Sequence, residues 1–300
     1  MTEPTTPAAA HRCGFVAIVG RPNVGKSTLL NQILGQKVAI VTPKPQTTRG
    51  RILGIHTLAQ AQILFVDTPG LHKARSNLNR RFVQAAEQAI EEADVILWLL
   101  DASDGIKPAD RAIAADLQSK SAPICIAINK IDRIAKGALI PMLAAVAELA
   151  PGREIVPISA TKNENVEELV RLLVGLLPPG PPHFDADAVT DQTERMLVQE
   201  AVREQVLLQT QQEVPYSVAV TIDRYEERDG LAVISATLNV ERESQKRILV
   251  GHGGTRIREI GRAARLELEK ILDRRIYLEL FVRVQEEWTS NIARIRDFGL

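Results

Sequence analysis

Three hundred residues with zero net charge, 45% hydrophobic and 25% charged, make a globular chain long enough for two domains of ordinary size. Clean apolar stretches reach six residues, as at Val95–Leu100, against the roughly 20 that a membrane-crossing helix needs, so a transmembrane segment is excluded. Two cysteines, Cys13 and Cys125, exclude a disulfide framework, and a reducing, cytoplasmic setting is expected.

Met1–His11 carries Pro and Thr but no basic cluster ahead of an apolar core, so it reads as a disordered tail, not a secretory signal, with residues 1–12 outside the first domain. From there to Leu177 short apolar runs alternate with helical patterns, the mark of βαβ units and a mostly parallel sheet flanked by helices, an α/β domain over residues 13–177. The strands are expected at Phe15–Val19, Ile52–His56, Ile63–Val66, Val95–Leu100, Ile124–Ile128 and Ile155–Ile158. Helices are expected near Lys26–Leu34, Asn79–Glu92, Ala109–Leu117, Ile140–Leu149 and Val166–Leu177, with Gly35 closing the first and Asn163 opening the last. The run Pro178-Pro179-Gly180-Pro181-Pro182 ends the pattern and suits a stiff interdomain spacer over residues 178–190. Residues 191–300 change order: a helix at Thr193–Gln209, strands Tyr216–Arg224 and Ala232–Val240 joined by an Asp229-Gly230 hairpin turn, further helices, and a strand Ile276–Val284, an α+β unit.

The segment Gly20-Arg21-Pro22-Asn23-Val24-Gly25-Lys26-Ser27, with Thr28 behind it, follows an apolar strand and opens a helix. Glycines at both ends let backbone N–H groups turn toward a β-phosphate, and the helix N-terminus adds partial positive charge. Lys26 offers a point charge to the β- and γ-phosphates, and the Ser27 hydroxyl suits Mg²⁺, which takes oxygen ligands. Asp67-Thr68-Pro69-Gly70 follows the third strand, so Asp67 is placed to hold Mg²⁺ through water and the Gly70 N–H to approach the γ-phosphate. At Asn129-Lys130-Ile131-Asp132 the Asp132 carboxylate can accept from the two adjacent donors of guanine, N1–H and the 2-amino group, which adenine lacks. Lys130 would lay its stem along the base, Asn129 would tie loops together, and a backbone N–H at Ser159-Ala160 falls where guanine O6 would be. Four elements at strand C-terminal ends, in this order, resemble the P-loop GTPase family, whose ligands are GTP and GDP with Mg²⁺.

That resemblance implies a further Mg²⁺ ligand in the first switch, Thr48 ahead of Thr47, within a polar, mobile loop Thr42–Arg51; Leu71–Asn79 is expected to form the second. Leu71 stands where many family members have a water-orienting glutamine, so the chain is similar to the branch with a hydrophobic residue there. In that branch an asparagine at the place of Asn23 helps to hold K⁺ against the phosphates. Asn23, Lys26, Thr48 and Gly70 are therefore the candidate catalytic residues. With no general base at the γ-phosphate, turnover is expected to be slow.

In the second domain Gly251-His252-Gly253-Gly254 lies between two helical patterns and is flanked by Arg247, Arg256, Arg258, Arg262 and Arg265. Between Arg242 and Arg275 ten Lys or Arg stand against five Asp or Glu, a local basic excess suited to a nucleic-acid groove. A G-x-x-G loop in an α-β-β-α-α-β order resembles the type II KH domain, which brings backbone close to the phosphates of a single strand. His252 departs from the lysine common in that domain. Aromatic residues are sparse, so a stacking platform for bases is not expected. A GTPase domain followed by this KH arrangement resembles the family of small-subunit assembly GTPases. It implies a monomer that binds 16S ribosomal RNA near its 3′ end and the 30S subunit, is cytoplasmic, and associates peripherally with the inner membrane.

Overall fold

In the computed structural model, residues 11–44, 47–70, 77–211 and 214–299 are described, with the side chains of 77–81 and 215 excepted. The chain divides into two compact units. One runs to Leu34 and includes Ile52–Asp67 and Gln88–Asp191; the other takes Gly35–Arg51, Thr68–Glu87 and Gln192–Leu300.

The first unit is built on strands β1 (Arg12–Val19), β2 (Ile52–Leu58), β3 (Ala61–Asp67), β4 (Val95–Asp101), β5 (Ile124–Asn129) and β6 (Glu154–Pro157), in sheet order β2-β3-β1-β4-β5-β6. Only the β2–β3 pair is antiparallel; a hairpin needs a short turn where parallel neighbours need a crossover. The crossover helices are α1 (Lys26–Leu34), α2 (Asn77–Glu91), α3 (Pro108–Gln118), α4 (Lys136–Leu149) and α5 (Val166–Leu176). Every residue of β4 is buried, as a parallel strand covered on both faces requires. The five parallel strands, β1 and β3–β6, thus deliver their C-terminal loops to one end of the sheet, where α/β folds place their ligands.

Three expectations change. Arg12 opens β1 instead of ending a tail. Asn165, in the left-handed region at φ 57°, caps α5 where Asn163 was expected. The proline run is not a detached spacer: Cys13 N–H donates to the Pro178 carbonyl, Gly180 N–H to the His11 carbonyl at 2.9 Å, and Ile55 N–H to the Val189 carbonyl at 2.8 Å. Its anchor is Gln62, fully buried in β3. Its amide oxygen accepts from the backbone N–H groups of His183 and Phe184 at 2.8 and 3.0 Å, and its Nε2 donates to the Phe184 carbonyl. Phe184 and Ala188 then pack on Cys13, Leu53, Ile55, Leu64 and Val66.

In the second unit α6 (Glu194–Gln209), β7 (Ala219–Arg228), β8 (Leu231–Val240), α7 (Glu243–Val250), α8 (Thr255–Leu272) and β9 (Arg275–Val284) occur in the expected order. Thr193 caps α6 by accepting from Met196 N–H. The Asp229-Gly230 turn has positive φ at both positions, 48° and 73°, as the tight hairpin demands. The sheet order is β7-β8-β9, with β8 and β9 parallel. One face buries Ile234, Ala236 and Leu238 against Val198, Val202, Val206, Ile260, Ala264 and Leu268. Short α9 (Ile292–Asp297), absent from the sequence reading, sets Ile295 beside Trp288, whose indole N–H donates to the Ser217 carbonyl.

Candidate functional site

Residues 20–28 join β1 to α1 at the C-terminal end of the first unit's sheet. Gly20 is left-handed at φ 152°, and a Cβ there would stand 2.6 Å from the Leu99 carbonyl oxygen; at Gly25, φ 104°, it would stand 2.3 Å from Asn129 Nδ2. Neither position tolerates a side chain without displacing its neighbour. Lys26, 7% exposed, folds back to donate to the carbonyls of Gly20 and Arg21 at 3.2 Å each. Burial pushes its ammonium pKa down, and the charge of Asp67 works against that. Ser27 Oγ donates to Asp67 Oδ2 at 2.6 Å. A hydroxyl and a carboxylate side by side form an oxygen donor pair, so the residues fit Mg²⁺ by chemistry.

The base-side residues are tied to this loop. Asn129 Nδ2 donates to the Val24 carbonyl at 2.8 Å, and its Oδ1 accepts from Ala160 N–H at 3.0 Å. Asn129 thus joins the loop after β1 to the loop after β6. Of the two backbone N–H groups at Ser159-Ala160, where one was expected to face guanine O6, that of Ala160 is engaged by Asn129 and that of Ser159 by the Glu164 carbonyl. Lys130, left-handed at φ 66°, sends its ammonium to the Asn23 carbonyl at 2.6 Å and to Asp101 Oδ2 at 2.5 Å. Asp132 is exposed, and its Oδ1 accepts from Ser159 Oγ at 2.6 Å, which orients the carboxylate. Asn23 is left-handed at φ 65° and exposed.

Arg21 was expected at the phosphates. Its side chain instead turns toward α3, where Nε lies 2.9 and 2.8 Å from the two oxygens of fully buried Asp110 and Nη1 donates to Asp104 at 2.9 Å. These carboxylates raise its pKa against the opposing effect of burial. Asp110 also accepts from Lys107 N–H at 2.9 Å, capping α3. Sequence reading missed Asp101, Asp104 and Asp110; an Asp three residues after Lys107 at a helix start was the available signal.

The remaining nucleotide candidates belong to the second unit. Thr48 is 6% and Thr68 1% exposed, Pro69 is buried and Gly70 half-buried. Leu71 lies outside the described residues. Thr42–Arg51, expected as a polar mobile loop, has buried Thr48 and Arg49, with Arg49 donating to the carbonyls of Val218 and Tyr216 at 2.6 and 2.9 Å.

The second unit presents Gly251–Gly254 between α7 and α8. All three glycines have positive φ, and a Cβ at Gly251 would lie 2.8 Å from Arg256 Cβ. Arg258 braces the loop by donating to the carbonyls of Gly254 and Gly253 at 3.0 and 2.6 Å. Arg256 donates to the Gln209 carbonyl at 2.6 Å, at the end of α6. Of the arginines expected at RNA phosphates, Arg258 therefore bonds the loop itself and Arg256 ties the start of α8 to the end of α6. Arg247, His252 and Arg262 are exposed, while Arg265 lies 3.9 Å from Glu269.

A family model described as a 50S ribosome-binding GTPase matches residues 15–130, and a KH domain model matches residues 213–289. The GTPase Era of Geotalea uraniireducens (strain Rf4) is 51% identical over 291 residues, spanning 96% of this chain and 97% of its own length. The GTPase Era of Halothermothrix orenii is 41% identical over 291 residues, spanning 97% and 99%. Among solved structures, an Aquifex aeolicus Era variant bound to GDP·AlF4⁻ is 43% identical with a TM-score of 0.93, over 96% of this chain and 99% of that one. An Era complex with MgGDPNP and nucleotides 1506–1542 of 16S ribosomal RNA matches with the same identity, coverage and TM-score.

Proposed function

The chain belongs to the Era family of GTPases, and on that footing we propose that it binds GTP with Mg²⁺, hydrolyses it slowly, and binds 16S ribosomal RNA near its 3′ end to assist assembly of the 30S subunit. The observation that carries this reading is the near full-length match, at 43% identity, to an Era solved with both MgGDPNP and 16S nucleotides. The matched GTPase model spans only residues 15–130 and is silent on the second domain; the relatives in GTPase Era cover both.

The loop Gly20–Ser27 and the start of α1 bind the phosphates through backbone N–H groups and Lys26. Ser27 and Asp67, with Thr48 from the first switch, would hold Mg²⁺. When bound, that ion neutralises charge developing on the phosphoryl oxygens. Asp132, oriented by Ser159, selects guanine. Asn129 and Lys130 keep the base-side loops fixed on the phosphate loop, so the nucleotide meets an organised site and less ordering remains to be done on binding. Gly70 senses the γ-phosphate. Asn23 assists through K⁺; KCl should support faster phosphate release than NaCl, and equal rates would remove K⁺ from the reading. Among the described residues no helix is long and apolar enough to cross a membrane, and cytoplasmic residence with peripheral membrane association belongs to the same proposal.

In the second domain Gly251–Gly254 and Arg247 meet the RNA backbone. The test is phosphate release with and without a 3′ fragment of 16S ribosomal RNA, alongside direct binding of that fragment. Slow release and specific binding are expected. Release without binding would favour a related GTPase of tRNA modification or large-subunit assembly; binding without release would leave an RNA-binding module that holds nucleotide uncleaved.

A further inference from the structure

At the C-terminal end of β4 a carboxylate that belongs to none of the nucleotide motifs reaches the base-side lysine. Asp101 is 6% exposed, and both of its oxygens are taken. Oδ1 accepts from the Ser103 N–H at 2.9 Å and from Ser103 Oγ at 2.6 Å. These bonds lie within the turn that begins at Asp101, where Gly105 N–H donates to the Asp101 carbonyl at 3.1 Å. Oδ2 accepts from the Lys130 ammonium at 2.5 Å. The backbone is joined beside this contact: Asp101 stands opposite Asn129 in the β4–β5 pair, and Ala102 N–H donates to the Asn129 carbonyl at 2.9 Å. The ammonium is therefore held between two acceptors, Asp101 and the Asn23 carbonyl of the phosphate loop. Asn23, Asp101, Ser103 and Lys130 all lie within the first unit.

We propose that Asp101 is a positioning residue for the guanine nucleotide: it holds the Lys130 ammonium against Asn23, so that the lysine stem keeps one course between the base-side loop and the phosphate loop before the base arrives. The inference rests on the GTPase reading above and adds to it a residue outside the four nucleotide motifs. A role in stability alone accounts poorly for the pair. The Lys130 side chain is 20% exposed and has the Asn23 carbonyl as a partner whether or not Asp101 is there, and ion pairs open to water contribute little to folding. Its backbone is also left-handed at φ 66°, a conformation disfavoured for a residue with a Cβ and one that gathers at ligand-binding sites. A lysine ammonium is a point charge on a flexible four-carbon stem. With the Asn23 carbonyl alone it can be met from many directions; a buried carboxylate, itself pinned by Ser103, leaves it one.

The test compares the full-length protein with Asp101→Ala, Asp101→Asn, Lys130→Ala and the double variant Asp101→Ala with Lys130→Ala. The readouts are the GDP dissociation rate, KM and kcat for GTP, and Tm. Asp101→Ala should speed GDP release and raise KM, each about tenfold, with a change in kcat of about twofold at most, because slow turnover makes KM report binding. Asp101→Asn should act in the same direction, since its NH2 group meets either the ammonium or the Ser103 N–H where an acceptor stood, and it carries the test should Asp101→Ala fail to fold. In the double variant the loss should match that of Lys130→Ala alone, because Asp101 acts through the lysine. Additive losses overturn the inference, as does a folded Asp101 variant with unchanged GDP release and KM, or an effect confined to Tm. A parent protein that binds no GDP would instead overturn the GTPase reading itself.

Discussion

The molecule has two glycine-turned loops that each open a helix, and they are held in opposite ways. Residues 20–27 are fixed from outside: Asn129, Lys130 and Asp110 reach them from 89 to 107 positions away in the sequence, and Asn129 and Asp110 are buried. Residues 251–254 are fixed from nearby, by Arg258 on the next turn and by Thr255 Oγ1 donating to the His252 carbonyl at 2.9 Å, and His252 and Gly253 stay exposed. The contrast follows from the ligands. A nucleotide's phosphates and base have a set geometry, and a site with remote, buried ties can be organised before they arrive. A flexible single strand adapts to its protein, so its loop needs a shape but not a closed frame.

The largest expected effect lies on the base side of the first loop. Asp132→Asn, which replaces an acceptor with a donor, should move preference from GTP toward XTP by on the order of 10⁴-fold in kcat/KM; an unchanged preference would show that Asp132 does not read the base. Next is the remote tie at Arg21. Asp110→Ala strands a mostly buried guanidinium and should cost about 3 kcal/mol in denaturant unfolding, with nucleotide affinity falling in parallel. If nucleotide affinity held while stability fell, the loop would not depend on its outside ties. Smaller again is the RNA loop, where Gly251→Ala forces Cβ against Arg256 and should weaken RNA binding about tenfold, roughly 1.4 kcal/mol, with GTP affinity unchanged. Gly253→Ala has open space around it and should cost only the left-handed backbone penalty of about 1 kcal/mol. The least change is expected from Arg247→Ala, which should lower the salt dependence of RNA binding by about one phosphate contact; an unaltered slope would return Arg247 to the solvated surface.

The strands, the crossover helices and the nucleotide motifs were legible because each is carried by neighbours in sequence: apolar runs, helix caps, and motifs at strand ends. What stayed hidden depends on partners far along the chain. Arg21 looked like a phosphate residue until Asp110 came beside it, and Arg256 and Arg258 looked like phosphate contacts until the carbonyls they serve were in place. Composition cannot tell an arginine that supports a loop from one that reaches beyond it. The burial of Thr48 and Arg49 in a segment that reads as polar loop was invisible for the same reason. Gln62 did leave a trace: a lone amide within a strand of otherwise apolar character implies buried partners for its donors and acceptor, though not that they would come from the proline segment.

That segment has a consequence for how the protein behaves among other copies of itself. β2 is one of the two edge strands of the six-stranded sheet, and an open strand edge is a template for pairing with another chain. Here Val189 and Thr190 occupy it: Ile55 N–H is taken by the Val189 carbonyl, the Leu53 carbonyl by Thr190 Oγ1 at 2.7 Å, and Gly54 bridges to Thr190. The residues that lead out of the first domain therefore also guard it against aggregation. A fragment cut after Leu177 would present that edge bare, whereas one cut after Asp191 would keep it covered.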